Sequence, residues 1–127
     1  MEPLRGDDSD ELGRYKAVLE QCGRFGGLVK WKQQAAETLR EHLSNHTQRS
    51  IEILLHAHRN EVDQTEESRP EYRDRYRYHY DFRIPIDGQR VYIETVFEPG
   101  ATEDDASIRV VRIKPVNPGE PWGTRTP

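Results

Sequence analysis

The spacing of hydrophobic positions changes about halfway along the chain, from a helical period to alternation. In the first half, apolar side chains recur three or four positions apart, which is typical of helices with one buried face. This pattern predicts three helices, over residues 9–22, 30–44 and 47–59. Thr47 belongs to the small group of residues that cap helix N-termini, so we expect it to begin the third helix.

Alternation of polar and apolar residues in the second half predicts β-strands. The predicted strands are residues 75–84, 90–97 and 107–114. Asp87 and Gly88 are typical of a two-residue hairpin turn and are expected to join the first two strands. Residues 60–74 are polar and are predicted to be a connection.

Helices that precede a block of strands favour an α+β fold. We predict a helical layer packed on a three-stranded antiparallel meander sheet, in a single domain over residues 9–115. Residues 1–8 are predicted to be disordered, and residues 116–127 to be a Pro/Gly-rich tail. The pattern leaves open which face of the sheet the helices cover, and whether the first helix packs on the same core.

Composition restricts the classes of function. Hydrophobic and charged residues each make up 33% of the chain, and the net charge is −4, so we expect a small core with polar ends. An acidic chain is not typical of a dedicated nucleic-acid binder, so such a role would need a local basic patch. The single cysteine, Cys22, excludes an internal disulfide and a multi-cysteine zinc site.

Several common sites and segments are missing from the sequence. No run of residues has the length and hydropathy of a transmembrane helix, and the acidic start MEPLRGDDSDE has no apolar signal-peptide core. We therefore expect a cytoplasmic protein without membrane association. His42 and His46 are four residues apart but lack the glutamate of the HExxH zinc motif, and the acidic loop at 103–105 lacks EF-hand spacing. We expect no metal and no cofactor.

The segment RYRYHYDF, residues 75–82, has two different faces as a strand. The aromatic face, which we expect to belong to the core, contains Tyr76, Tyr78, Tyr80 and Phe82. Two interpretations of the basic face stay open. It is either a solvated face with cross-strand pairs such as Arg83 with Glu94, or a catalytic face. In the second case His79, whose ordinary pKa of ~6.5 suits proton exchange, is flanked by Arg77 and Arg83.

The order of these elements resembles that of a known superfamily. The segments HTQRSIEILLHAHRNEV, HYDFRIPIDGQRVYIETVF and SIRVVRIKP lie within residues 31–115. Together they resemble the RelE/ParE/BrnT-like small toxins, in which helices precede antiparallel strands. The resemblance implies a toxin of a toxin–antitoxin pair with a cognate protein partner. Members of the superfamily often cleave mRNA without a metal, using basic and aromatic side chains on the sheet.

A metal-independent endoribonuclease is therefore the first functional hypothesis. In it, His79 exchanges the proton of the RNA hydroxyl, while Arg77 and Arg83 hold the phosphate. The residues expected to contact RNA or a partner are Arg75, Arg90, Tyr92 and Arg112.

Two functions without catalysis remain as alternatives. One is a protein-interaction module that adds a partner's strand to an exposed sheet edge. In that fold the last strand is an edge guarded by Arg109 and Arg112. The other is an immunity or antitoxin-like protein whose acidic surface binds a basic toxin.

Overall fold

The computed structural model describes residues 3–24, 26–100 and 106–123, with side chains from residue 11 onward. The helices in these ranges are α1 (Pro3–Cys22), α2 (Gln33–His42), α3 (Gln48–Ala57) and α4 (Pro70–Arg73), with a 3-10 turn at Arg59–Glu61. The strands are β1 (Val29–Trp31), β2 (Asp63–Glu66), β3 (Tyr78–Ile86), β4 (Gln89–Glu98) and β5 (Ser107–Pro115).

The strands form one five-stranded mixed sheet in the order β1-β5-β4-β3-β2. The three central strands are the predicted antiparallel meander, and the α+β class is confirmed. The prediction of only three strands is wrong, because β2 pairs antiparallel with β3 and β1 pairs parallel with β5. The last strand is therefore paired on both sides at residues 108–110, so Arg109 does not guard an edge, while Arg112 lies beyond the residues that pair with β1.

Helix and strand ends differ from the predicted ones by a few residues. Thr47 caps α3 as predicted, in a capping box in which its hydroxyl accepts from the Ser50 amide at 3.0 Å. The helix α1 begins at Pro3 instead of residue 9, and residues 1 and 2 lie outside the described ranges. The strand β3 begins at Tyr78 and passes through Pro85, so Tyr76 lies before the strand.

The helices α1, α2 and α3 contribute to a common core with the aromatic face of the sheet. The Tyr15 ring of α1 stacks on Tyr80 at 4.1 Å between centroids, and both side chains are fully buried. Phe82 is also buried, and Tyr78 is half-buried at the edge of the same core. The first helix therefore packs on the common core, and the opposite face of the sheet is left for polar groups.

The connection between β2 and β3 lies over part of that opposite face. From it, Arg69 binds Glu94, and the Tyr76 hydroxyl donates to Glu98 at 2.6 Å. Tyr76 was expected in the core, but it precedes the strand and makes this polar contact instead.

The C-terminal segment docks on the folded domain. The Trp122 ring stacks on His42 at 5.2 Å, and the Gly123 amide donates to Gln89 at 2.8 Å. Residues 124–127 lie outside the described ranges. Among the helices that the structure describes, none combines the length and hydropathy needed to cross a membrane.

Candidate functional site

Ionisable side chains converge on the sheet face opposite α1. Alternation places His79 and Asp81 on this face of β3, and strand register places Glu94 of β4 directly across from Asp81. We call the group the polar cluster; its members are Glu67, Arg69, His79, Asp81, Tyr92 and Glu94. Its three carboxylate side chains are each at least 95% buried. Buried carboxylates need charged or hydrogen-bonding partners, and the cluster supplies them.

His79 is held in one orientation by Asp81. The His79 Nδ1 lies 2.7 Å from Asp81 Oδ1, and Thr65 Oγ1 donates to the other carboxylate oxygen at 3.2 Å. An ionised carboxylate only accepts hydrogen bonds, so Nδ1 carries the proton. The second ring nitrogen, Nε2, makes no hydrogen bond to any residue that the structure describes. The His79 side chain is 13% exposed, so the ring reaches solvent. This arrangement suits Nε2 for proton exchange.

Arg69 supplies the positive charge inside the cluster. Its guanidinium binds both oxygens of Glu67, at 2.8 and 2.9 Å, and also binds Glu94. These hydrogen bonds hold the pKa of Glu67 below its usual value and raise the pKa of Arg69. Both groups are therefore charged at neutral pH. The guanidinium carbon also lies 4.7 Å from the centre of the Tyr72 ring, a cation–π contact.

Tyr92 is a further hydrogen-bond donor in the cluster. Its hydroxyl donates to Glu94 Oε1 at 3.2 Å. Burial, followed by the negative charges of Asp81 and Glu94, raises the pKa of Tyr92 well above its usual value. The phenol therefore stays protonated at neutral pH and acts as a hydrogen-bond donor.

Three members of the cluster have the ligand types of a divalent-metal site. One ligand atom each from His79, Asp81 and Glu94 lies within 4.8 Å of the others. Arg69 and Tyr92, however, already donate to Glu94, and His79 already donates to Asp81. Protein donors thus already occupy acceptor positions of these carboxylates, and the arrangement fits acid–base chemistry better than metal binding.

Arg83 lies beside the cluster but does not pair with Glu94. The register places Arg83 opposite Tyr92, and its guanidinium lies 5.2 Å from the centre of that ring. The same guanidinium binds Asp63 of β2 at 3.0 Å. The predicted Arg83–Glu94 pair is therefore wrong, because Glu94 lies two residues further along β4, opposite Asp81.

The other predicted arginines have separate surroundings. Arg77 precedes β3, and its guanidinium lies 5.6 Å from the Tyr78 ring centre. Arg75 is exposed, 3.8 Å from a Glu98 oxygen, and Arg90 donates to the backbone oxygen of Arg83 at 3.2 Å. Arg112 lies on β5 across from Glu94. Of the seven predicted site residues, only His79 and Tyr92 belong to the polar cluster.

The remaining candidate groups are apart from the cluster. Burial raises the pKa of the Cys22 thiol to about 11, so the thiol is protonated and unreactive at neutral pH. His46 binds Asp87 at 3.3 Å, while His42 stacks on Trp122, so these two histidines do not form a metal pair. The acidic loop at 103–105 lies outside the described residues.

No family model, curated protein or solved structure matches this chain. The functional argument therefore rests on the geometry of the polar cluster and its surroundings.

Proposed function

We propose that the protein is a toxin-like small endoribonuclease that cleaves RNA without a metal, with His79 as its acid–base group. The observation that carries this proposal is the contact of His79 Nδ1 with buried Asp81, which directs Nε2 away from the protein's own hydrogen bonds. A neutral imidazole oriented by a carboxylate is a common general base in proteins.

The reaction balances with groups present on this face. His79 Nε2 accepts the proton of a ribose 2′-hydroxyl, and the 2′-oxygen forms a bond to the adjacent phosphorus. The bond from phosphorus to the 5′-oxygen then breaks, and the imidazolium returns its proton to that oxygen. The products are a 2′,3′-cyclic phosphate and a free 5′-hydroxyl. No oxidant, reductant or metal is required.

The arginines serve as phosphate contacts in this proposal. Arg83 shares the face of His79 on β3 and is exposed, and among the described residues its ion-pair partner is the exposed Asp63. A phosphate competes for such a guanidinium because Arg binds phosphate oxygens in a bidentate way. Arg77 stays the second phosphate ligand, and Arg75, Arg90 and Arg112 stay proposed RNA or partner contacts.

The test compares RNA cleavage by the purified protein with cleavage by His79→Gln. We expect the variant to lose about 10²- to 10⁴-fold in rate, which is the usual contribution of a general acid–base group. The control is His58→Gln, because His58 binds Glu61 at 3.0 Å outside the polar cluster. EDTA should leave the parent rate unchanged.

Three results would overturn the assignment. Equal cleavage by His79→Gln and by the parent would show that His79 takes no part in the reaction. Loss of cleavage in EDTA would contradict the metal-free mechanism and indicate a metal ion bound by His79, Asp81 and Glu94. A parent protein that neither cleaves RNA nor arrests growth when expressed alone is not a toxin of this type.

A non-catalytic interaction module is the second candidate, and one observation favours it. The edge strand β2 pairs with β3 on one side only, and its residues Asp63, Thr65 and Glu66 are exposed. Such an edge can accept a strand from a partner. A stoichiometric partner recovered with the protein, together with no RNA degradation, would favour this candidate.

A further inference from the structure

A second polar site lies between α2 and β5. It is a cavity of about 170 Å³ beside the polar cluster. Its polar lining residues are Lys32, Gln34, Thr38, Arg69, Tyr72 and Arg112. The other lining residues are apolar, and no carboxylate is among those that the structure describes around the cavity.

The cavity has a positive lining in an otherwise acidic chain. Arg69 is neutralised by Glu67 and Glu94, which bind it from outside the cavity. Lys32 and Arg112, in contrast, have no carboxylate partner among the described residues. The two uncompensated charges therefore favour an anion, and electrostatic attraction is stronger in a partly enclosed site than in water.

Hydrogen-bond donors accompany these charges. Lys32 Nζ donates to the Tyr72 hydroxyl oxygen at 3.1 Å, so the phenolic proton of Tyr72 is left to donate to a ligand. The exposed Arg112 guanidinium adds several N–H groups in a fixed plane. A ligand with several acceptor oxygens would satisfy these donors together.

The size of the cavity restricts the ligand. Sites that enclose a drug-sized molecule measure about 300–1,000 Å³. A cavity of about 170 Å³ is smaller, so it suits a compact anion or one anionic group of a longer chain. Several acceptor oxygens, negative charge and compact size together describe a phosphoryl group.

We infer that the cavity between α2 and β5 is a phosphoryl-binding subsite. The inference that the cavity binds an anion rests only on its lining residues. Its assignment to a backbone phosphate of RNA near His79 rests on the proposed function. Arg69 connects the two sites, because it lines the cavity and also binds Glu94 of the polar cluster.

The test is an NMR titration of ¹⁵N-labelled protein with inorganic phosphate, at constant ionic strength maintained with chloride. We expect saturable shifts of amides around the cavity. Loss of one charged hydrogen-bonding partner costs about 1.5–3 kcal/mol, so Arg112→Gln and Lys32→Gln should each weaken binding about tenfold or more.

The matched control is Lys114→Gln. Lys114 is on the same strand as Arg112, and its Nζ lies 5.3 Å from the centre of the Tyr92 ring, away from the cavity lining. The same loss of charge there should leave phosphate affinity within about twofold if the site, and not the general field, binds the anion. Arg112 is exposed, so its substitution is not expected to unfold the protein.

The outcomes separate this inference from the proposed enzyme. Shifts that do not saturate, or equal weakening by Lys114→Gln and Arg112→Gln, would overturn the subsite. Saturable phosphate binding by a parent protein that does not cleave RNA would support the subsite and contradict the proposed ribonuclease activity. We expect His79→Gln to bind phosphate normally while it fails to cleave RNA.

Discussion

The Tyr15 hydroxyl shows how one buried polar group joins α1 to the sheet. Thr95 Oγ1 donates its only proton to the backbone oxygen of Tyr80 at 2.8 Å. Tyr15 must therefore be the donor in its 2.6 Å hydrogen bond to Thr95. Burial raises the pKa of Tyr15 far above its usual value, which keeps this donor protonated.

Tyr15→Phe should lower the free energy of unfolding by about 0.5–1.5 kcal/mol, the net value of one hydrogen bond. The ring stack on Tyr80 would remain, so the change isolates the hydroxyl. Urea unfolding of Tyr15→Phe, Thr95→Val and the double variant measures it. Strictly additive effects of the two substitutions would show that the bond contributes nothing.

At the scale of single residues, the sequence predicted His79 but not the group around it. Alternation alone places Asp81 beside His79 on the strand, so the His-X-Asp spacing was a usable signal. Arg69 gave no signal, because it lies in an irregular connection whose path depends on tertiary contacts. The pairing of Arg83 with Glu94, which belongs to one of the two interpretations of the basic face, needs a register two residues different from the observed one.

At the scale of elements, two glycines of the α1 region form a natural comparison. Gly13 lies inside α1, and a β-carbon there would meet no atom within 4 Å. Gly23 follows the helix, and a β-carbon there would lie 2.6 Å from the His56 ring. The chain therefore lies close to α3 just after the C-terminal end of α1.

Gly13→Ala should stabilise the protein by roughly 0.5–1 kcal/mol, because alanine replaces glycine inside a helix without a clash. Gly23→Ala should destabilise it by about 1–3 kcal/mol, because the His56 ring must move. Thermal unfolding of the two variants and the parent measures both changes in stability, which should have opposite signs. A stable Gly23→Ala protein would mean that the His56 ring has free space beside it.

Elements with strong periodicity were predictable, and short polar ones were not. The hairpin at Asp87 and Gly88 forms as expected, with both residues at positive φ. The strand β2, with sequence DQTE, has no apolar alternation, so only its pairing with β3 makes it a strand. Two of the three residues of β1, Lys30 and Trp31, fall within the predicted helix 30–44, because Trp31 fits the helical spacing that follows.

For the whole molecule, ion pairs of two glutamates predict how stability depends on pH. Hydrogen bonds from Arg69 lower the pKa of Glu67, and those from Arg109 lower the pKa of Glu98. Because the folded-state pKa is lowered, ionisation stabilises the fold at pH values above the unfolded-state pKa of ~4.3. This stabilisation is lost as pH falls through the folded-state pKa.

We therefore expect the free energy of unfolding to decrease between neutral pH and about pH 3. Glu98→Gln should be less stable than the parent at pH 7 and should lose less stability on acidification. The control is Glu71→Gln, at an exposed position of α4, which should follow the parent curve. Unfolding by urea at a series of pH values provides the data. Identical slopes for Glu98→Gln and parent would contradict the prediction.

The parallel pairing of β1 with β5 has a consequence for synthesis on the ribosome. Val29 pairs with Ile108, so β1, in the first quarter of the chain, cannot pair until β5 has been synthesised. Contacts between distant segments form late, because the entropy of closing the long loop is lost before the contact contributes any favourable free energy. The nascent chain can form its helices early, but the sheet is complete only after β5 has left the ribosome.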